Sequence, residues 1–261
     1  MSSNDKELVG NYEVTKSGVV TRREVLLMGA MAAASGSLIA GSQNPAKAAD
    51  APAAPAGAYK AKDFKALAGT MTGLSASQIT QHLKLYEGYV AKSNAIHESL
   101  KTVELTSANA TYSAVRELLI EQSFAHNGVV YHEYYFNNLG GKGGEPTGDF
   151  KSAIEENWGS TGKFMDFLKA AGKSARGWVI VGYNTRAGYV DAYALDTHNI
   201  ASPANIVPLV VLDVYEHAYM IDYGIDRAKY LEAFINNLSW AAVDKRLSIA
   251  TKHASGIDTT L

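Results

Sequence analysis

The chain has 261 residues, 24 Lys and Arg against 26 Asp and Glu, a formal net charge of −2 and no cysteine. A near-neutral surface offers nucleic acid and acidic membranes little to hold. The absence of thiols excludes disulfides, thiolate catalysis, iron–sulfur clusters and Cys-ligated zinc.

Val20 to Leu27 contains the pair Arg22-Arg23, and a short Ala- and Gly-rich apolar stretch, Met28 to Gly41, follows it. Pro45 to Asp50 then places small residues where a signal peptidase acts. This is the pattern of a signal peptide over residues 1–49. The paired arginines resemble the twin-arginine motif, which implies the twin-arginine export machinery as a partner and a periplasmic or secreted address. The apolar stretch is too short and too broken for a membrane span, and no later one suffices, so no stable membrane insertion is expected after processing. Removing residues 1–49 leaves 19 basic and 22 acidic groups.

Residues 50–62 read as an Ala/Pro tether unable to bury a core. Residues 63–148 are expected to form an N-terminal helical hairpin domain. A short helix is expected at Asp63 to Leu67. Leu74 to His97 carries an apolar stripe of Ile79, Leu83, Tyr86 and Val90, with Ser75 or Ser77 as cap. Asn109 to Leu139 forms the second long helix, and Gly140 to Gly148 ends it. That glycine-rich loop lacks the Lys-Ser/Thr step and the preceding strand of a phosphate loop, and reads as a connection.

Residues 149–261 form the expected C-terminal α/β domain. Two short helices, Asp149 to Asn157 and Gly162 to Gly172, pack through Trp158 and Phe164. Gly177 to Tyr183 and Gly188 to Leu195 then alternate as a hairpin around Asn184 to Ala187. Val207 to Leu212 is a third strand, with Pro208 suited to an edge. Helices are expected at Tyr215 to Tyr223, Asp226 to Asn236 and Trp240 to His253. The fold class is α+β: an antiparallel long-helix hairpin, then a small three-stranded antiparallel sheet flanked by helices.

The third strand ends in Asp213, and His217 lies four residues on, a spacing that on an opening helix puts both on one face. His82 and His132 lie on the two long helices, which a hairpin brings together; His126 is an alternative to His132 on the same helix. Three imidazoles and one carboxylate suit manganese, iron or zinc.

Asp213-Val-Tyr-Glu-His-Ala-Tyr219, continuing to Asp222-Tyr223, resembles the Asp-Val-Trp-Glu-His-Ala-Tyr signature of the iron/manganese superoxide dismutase family. Tyr131-His132-Glu-Tyr-Tyr-Phe-Asn-Asn-Leu139 is similar to that family's second ligand segment. Gly148-Asp-Phe-Lys-Ser-Ala-Ile154, Gly177-Trp178 and Asn236-Asn-Leu-Ser-Trp240 follow in the family's order, so the likeness runs from about Phe64 to Lys252.

The resemblance implies conversion of superoxide to oxygen and hydrogen peroxide by one redox-cycling Mn or Fe ion per subunit, manganese being slightly preferred. It implies trigonal-bipyramidal ligation by His82, His132, Asp213, His217 and a bound water or hydroxide. Glu216 is similar to the residue that crosses a two-fold interface to the partner subunit's His217, and Tyr219 to a tyrosine at that interface. A homodimer or dimer-based tetramer follows.

The chain departs from the family at several points. The family's His-x3-His-x3-Tyr becomes His82-Leu-Lys-Leu-Tyr86-Glu-Gly-Tyr89-Val90, so Tyr86 or Tyr89 is left to gate the site and relay protons. Gly128 occupies the place where iron enzymes often carry a glutamine, which leaves His198 as the outer-sphere donor. Tyr215, Phe136 and Ile180 stand where tryptophans are usual and alter the apolar wall, which controls solvent access. These departures define an alternative: a catalytically weak metal-binding protein of the same fold, with a binding or structural role. A hydrolase or oxygenase on the same ligands is the remaining reading.

Overall fold

The computed structural model describes residues 58–254 and, before them, the two-residue strands Leu8–Val9 and Tyr12–Glu13, which pair antiparallel. Otherwise the leader expected over residues 1–49, and the tether up to residue 57, lie outside the described residues.

Two 25-residue helices come first, α1 (Ala76–Leu100) and α2 (Ala114–Asn138). The Ser75 hydroxyl accepts from Gln78 N at 3.0 Å and starts α1, a cap that contributes about 1 kcal/mol. The second helix begins five residues later than the pattern suggested. Asn109 Oδ1 instead accepts from the amides of Thr111 and Tyr112, folding a turn, and Ser113 is the cap. The rings of His82 and Phe136 approach at 4.9 Å and those of Tyr89 and Phe124 at 6.1 Å. Rising numbers on one helix meet falling numbers on the other, so the hairpin is antiparallel.

The residues just before α1 are fastened down, whereas the sequence suggested a free tether through residue 62. Tyr59 N donates to Asn94 Oδ1 at 2.8 Å and Asn94 Nδ2 returns to Tyr59 O at 3.0 Å. The Tyr59 hydroxyl meets His126 Nδ1 on α2. Lys62 N donates to the Tyr86 hydroxyl at 2.9 Å, and its ammonium pairs with Glu133. Phe64 then packs on Phe136, with centroids 5.4 Å apart. A 3-10 turn, Lys65–Leu67, follows.

The glycine-rich loop connects α2 to α3 (Gly148–Trp158). A side chain at Gly141 would lie 2.1 Å from Leu238 O, so only glycine lets this loop rest on the later turn. α4 (Thr161–Ser174) follows, and Trp158 and Phe164 meet at 5.1 Å as expected.

Strands β1 (Trp178–Asn184), β2 (Tyr189–Leu195) and β3 (Ile206–Asp213) form an antiparallel sheet in the order β2-β1-β3. Pro208 sits on the edge strand, opposite Gly182 at a bulge, where its missing N–H does least harm. The free edge of β3 is met by α2: Asn138 Nδ2 donates to Leu209 O at 3.0 Å and Asn138 Oδ1 accepts from Val211 N at 2.9 Å. Each bond is worth about 1 kcal/mol net, and more is lost if one partner is removed. The register puts Trp178 directly beside Asp213.

After β3 the chain makes a 3-10 turn, Glu216–Ala218, then a four-residue helix α5 (Met220–Tyr223), α6 (Arg227–Asn236) and α7 (Trp240–Ala254). The single helix expected from Tyr215 is absent. One core unites the hairpin and the sheet, with Ile79, Val129, Phe136, Val179, Val211 and Phe234 all buried in it. Among the described residues no helix is long and apolar enough to cross a membrane.

Candidate metal centre

Four elements each deliver one side chain to a single point. His82 comes from α1, His132 from α2, Asp213 from the end of β3 and His217 from the 3-10 turn; their candidate ligand atoms lie within 4.8 Å of one another. Asp213 Oδ2 is the hub, 3.1 Å from His82 Nε2, 3.0 Å from His217 Nε2 and 3.6 Å from His132 Nε2. Asp213 and His217 converge, but not as neighbours on a helix. Asp213 Oδ1 accepts from Tyr215 N at 2.9 Å, and this local turn swings His217 back over the strand end. His126, the alternative on α2, is exposed and bound to Tyr59 outside the cluster.

The donor chemistry fits a cation. His132 Nδ1 donates to Gly128 O at 2.6 Å, which leaves Nε2 with a lone pair. That Nε2 is buried, has no partner and faces a carboxylate oxygen. Two electron-rich atoms facing each other in a dry site are stable only with a positive charge between them. Burial alone would raise the Asp213 carboxyl, but the His217 and His82 imidazoles outweigh it and hold it far below the usual carboxylate range. Burial lowers His82 and drives His132 well down, so both stay neutral at pH 7, as ligands must. Tyr230, on α6, donates to Asp213 O at 2.6 Å and fixes the strand end. No local pattern in the sequence marks Tyr230; only the fold reveals it.

The two candidate tyrosines separate cleanly. Along the unbroken helix α1, Tyr89 is seven residues from His82, almost two full turns, and so returns to the same face. Its hydroxyl lies 2.7 Å from His198 Nε2, and its ring is 5.2 Å from that of His132. Tyr86 also buries its ring, but its hydroxyl runs past the cluster, accepts from Lys62 N and donates to Glu133 Oε1 at 2.9 Å. The relay role considered for Tyr86 therefore finds no hydroxyl at the site.

His198 is buried outside the ligand cluster. Trp178 Nε1 donates to His198 Nδ1 at 2.8 Å. A neutral His198 must therefore carry its proton on Nε2 and donate it to the Tyr89 oxygen, which leaves the Tyr89 proton free to be given elsewhere. Burial lowers His198 to about 4, and burial with the Asp213 charge raises Tyr89 to about 12. Both groups are thus neutral at pH 7. The glycine at 128 is explained by the same pair: a Cβ there would lie 2.7 Å from the Tyr89 ring. A glutamine at 128 and the observed Tyr89 exclude each other.

The wall is aromatic. Tyr215 stacks on His217 at 5.3 Å, and Phe136 approaches His82 at 4.9 Å. Ile180 is buried in the sheet. His217 is the open side of the cluster, its side chain 28% exposed. Glu216 beside it is exposed. Tyr219 is buried, its ring stacked on Tyr230 at 5.3 Å and its hydroxyl accepting from Arg227 Nε at 3.3 Å.

Comparison with known proteins adds a lineage to this geometry. Residues 146–246 match the family model described as iron/manganese superoxide dismutases, C-terminal domain. The superoxide dismutase [Fe] of Aquifex pyrophilus is 42% identical over 188 residues, covering 70% of this chain and 88% of the relative. That of Cupriavidus metallidurans is 35% identical over 200 residues, covering 74% and 98%. The superoxide dismutase [Mn] of Mycobacterium avium is 33% identical over 202 residues, covering 75% and 93%.

Proposed function

Because the chain belongs to the iron/manganese superoxide dismutase family, we propose that it converts superoxide to oxygen and hydrogen peroxide with one iron or manganese ion at the Asp213 cluster. The observation that carries this reading is the convergence of three imidazole Nε2 atoms on one ionised carboxylate oxygen, with the His132 lone pair left unpartnered. His82, His132, Asp213 and His217 would hold the ion, which would supply one-electron redox chemistry there.

The side chains supply the rest. Two superoxide ions and two protons give one oxygen and one peroxide, so each cycle needs proton delivery at a dry site. Tyr89 holds a proton on its hydroxyl, and His198 Nε2–H steadies that oxygen from the other side. Trp178 keeps His198 in the donating tautomer. Asp213 brings one fixed negative charge that offsets the cation, and the Tyr215, Phe136 and Trp178 rings exclude bulk water.

The weak-binder alternative rests on the altered helix motif and the substituted wall. It calls for a site without a hydroxyl, whereas Tyr89 provides one within reach of His198.

A homodimer is part of the proposal. Glu216 is exposed, and Met220, Ile221 and Ile225, which follow it within nine residues of sequence, are exposed as well, apolar surface that suits a second copy. Export by the twin-arginine route, and a periplasmic or secreted address, are supported by the Arg22-Arg23 pair, the short apolar stretch and the small residues before Asp50.

The test is to load the protein separately with manganese and iron and follow superoxide loss. Acceleration by at least one form is expected. Bound metal without acceleration in either form would leave the alternative standing.

A further inference from the structure

Two buried polar atoms on α1 lack partners and are complementary. His82 Nδ1 is one, and Gln78 Oε1, one turn earlier on the same helix, is the other. Residues four apart share a helix face. The amide orientation is not arbitrary: Gln78 Nε2 donates to His217 O at 2.5 Å, and the flipped amide would set two oxygens against each other. The Oε1 end therefore turns away from His217, fully buried, and needs a donor.

His82 has such a donor once its Nε2 serves a cation. A lone pair on Nε2 requires the proton on Nδ1. His132 meets the same need through the carbonyl four residues before it, Gly128 O at 2.6 Å. His82 makes no such backbone bond. Among the described residues, Gln78 Oε1 and Ser93 Oγ are the buried side-chain oxygens without a partner, and Ser93 lies three turns along the helix from His82.

We propose that Gln78 is a positioning residue for two members of the cluster at once. Its Oε1 takes the His82 Nδ1–H, directly or through one water, and so sets the tautomer. Its Nε2 holds the His217 backbone across 139 residues of sequence. One amide thereby spaces the His82 and His217 rings, which lie 4.8 Å apart.

This inference rests on the metal reading above, and the test separates the two. Zinc is used as a diamagnetic probe on 15N-histidine-labelled protein, with the imidazole N–H signals read by NMR and zinc release to a chelator timed. In the parent, His82 is expected to show a protected Nδ1–H. In Q78M, which keeps the length but has neither donor nor acceptor, that proton should exchange freely and zinc should leave about 10- to 100-fold faster. Q78E keeps an acceptor and should retain the Nδ1–H, and it decides the matter if Q78M does not fold. An unchanged Nδ1–H with release within twofold in Q78M, or loss of the Nδ1–H in Q78E, overturns the assignment. A purely structural role would shift thermal unfolding of the metal-free protein without moving the tautomer. If the parent itself binds no zinc, the metal reading fails instead.

Discussion

The Tyr89 hydroxyl and His198 Nε2 lie 2.7 Å apart although 109 residues separate them. Trp178 orders the pair from behind, so that His198 donates and Tyr89 keeps a transferable proton. Y89F should lower the rate of superoxide loss about 100-fold while metal content stays at the parent level. Y86F should leave the rate within twofold and instead destabilise the fold by about 1–3 kcal/mol, since Glu133 and Lys62 N lose a partner. Stopped-flow decay and urea unfolding of both variants separate the two roles.

Stability should depend on pH through His198. Its pKa falls to about 4 in the folded state, below the ordinary value of 6.5, because burial penalises the cation. The unfolded chain therefore binds the proton first. The stability is fully present above pH 6.5 and drains away as pH falls towards 4. Wild type should lose roughly 3 kcal/mol more than H198Q between pH 7 and pH 4. Urea midpoints of the metal-free proteins across that range measure it; parallel curves would refute the effect.

Gly128 should tolerate no side chain. In G128A the new methyl meets the Tyr89 ring at 2.7 Å. A destabilisation of about 1–3 kcal/mol is expected from overpacking, with a slower turnover as Tyr89 is pushed from His198. A variant as stable and as fast as the parent would mean that the helices part easily at this point.

Asp213 should be indispensable for metal retention and His126 irrelevant to it. D213A removes the hub on which three Nε2 atoms converge and should hold almost no metal after dialysis against a weak chelator. H126A should retain the parent's content. Elemental analysis of both reads the result, and full loading of D213A would dismiss the ligand assignment.

Glu216 should matter to association. Truncating a charge buried on pairing weakens binding by about 2–5 kcal/mol, so E216A should shift sedimentation towards monomer at concentrations where the parent pairs. A monomeric parent would remove the two-fold reading altogether.

Much of this was legible in the chain because it is periodic or local. The stripe Ile79, Leu83, Tyr86, Val90 marked α1, and the run into Asp213 marked β3. What escaped depends on contacts between distant residues. Spacing alone suggested a helix carrying Asp213 and His217, but a side-chain bond to Tyr215 N makes a turn there. Tyr86 and Tyr89 have the same chemistry; which one faces the site follows from where Lys62 and Glu133 stand. Nothing near Tyr219 in the sequence announces its contacts with Tyr230 and Arg227. Nothing in the sequence singles out Gln78; only the fold brings His217 O beside it.

The bonds of Tyr59 and Lys62 to Asn94, His126, Tyr86 and Glu133 have a mechanical meaning. They work as a strain relief works on a cable. A pull on the chain ahead of Tyr59 is spread sideways over both long helices and spent there as shear, before any of it reaches His82 or His132.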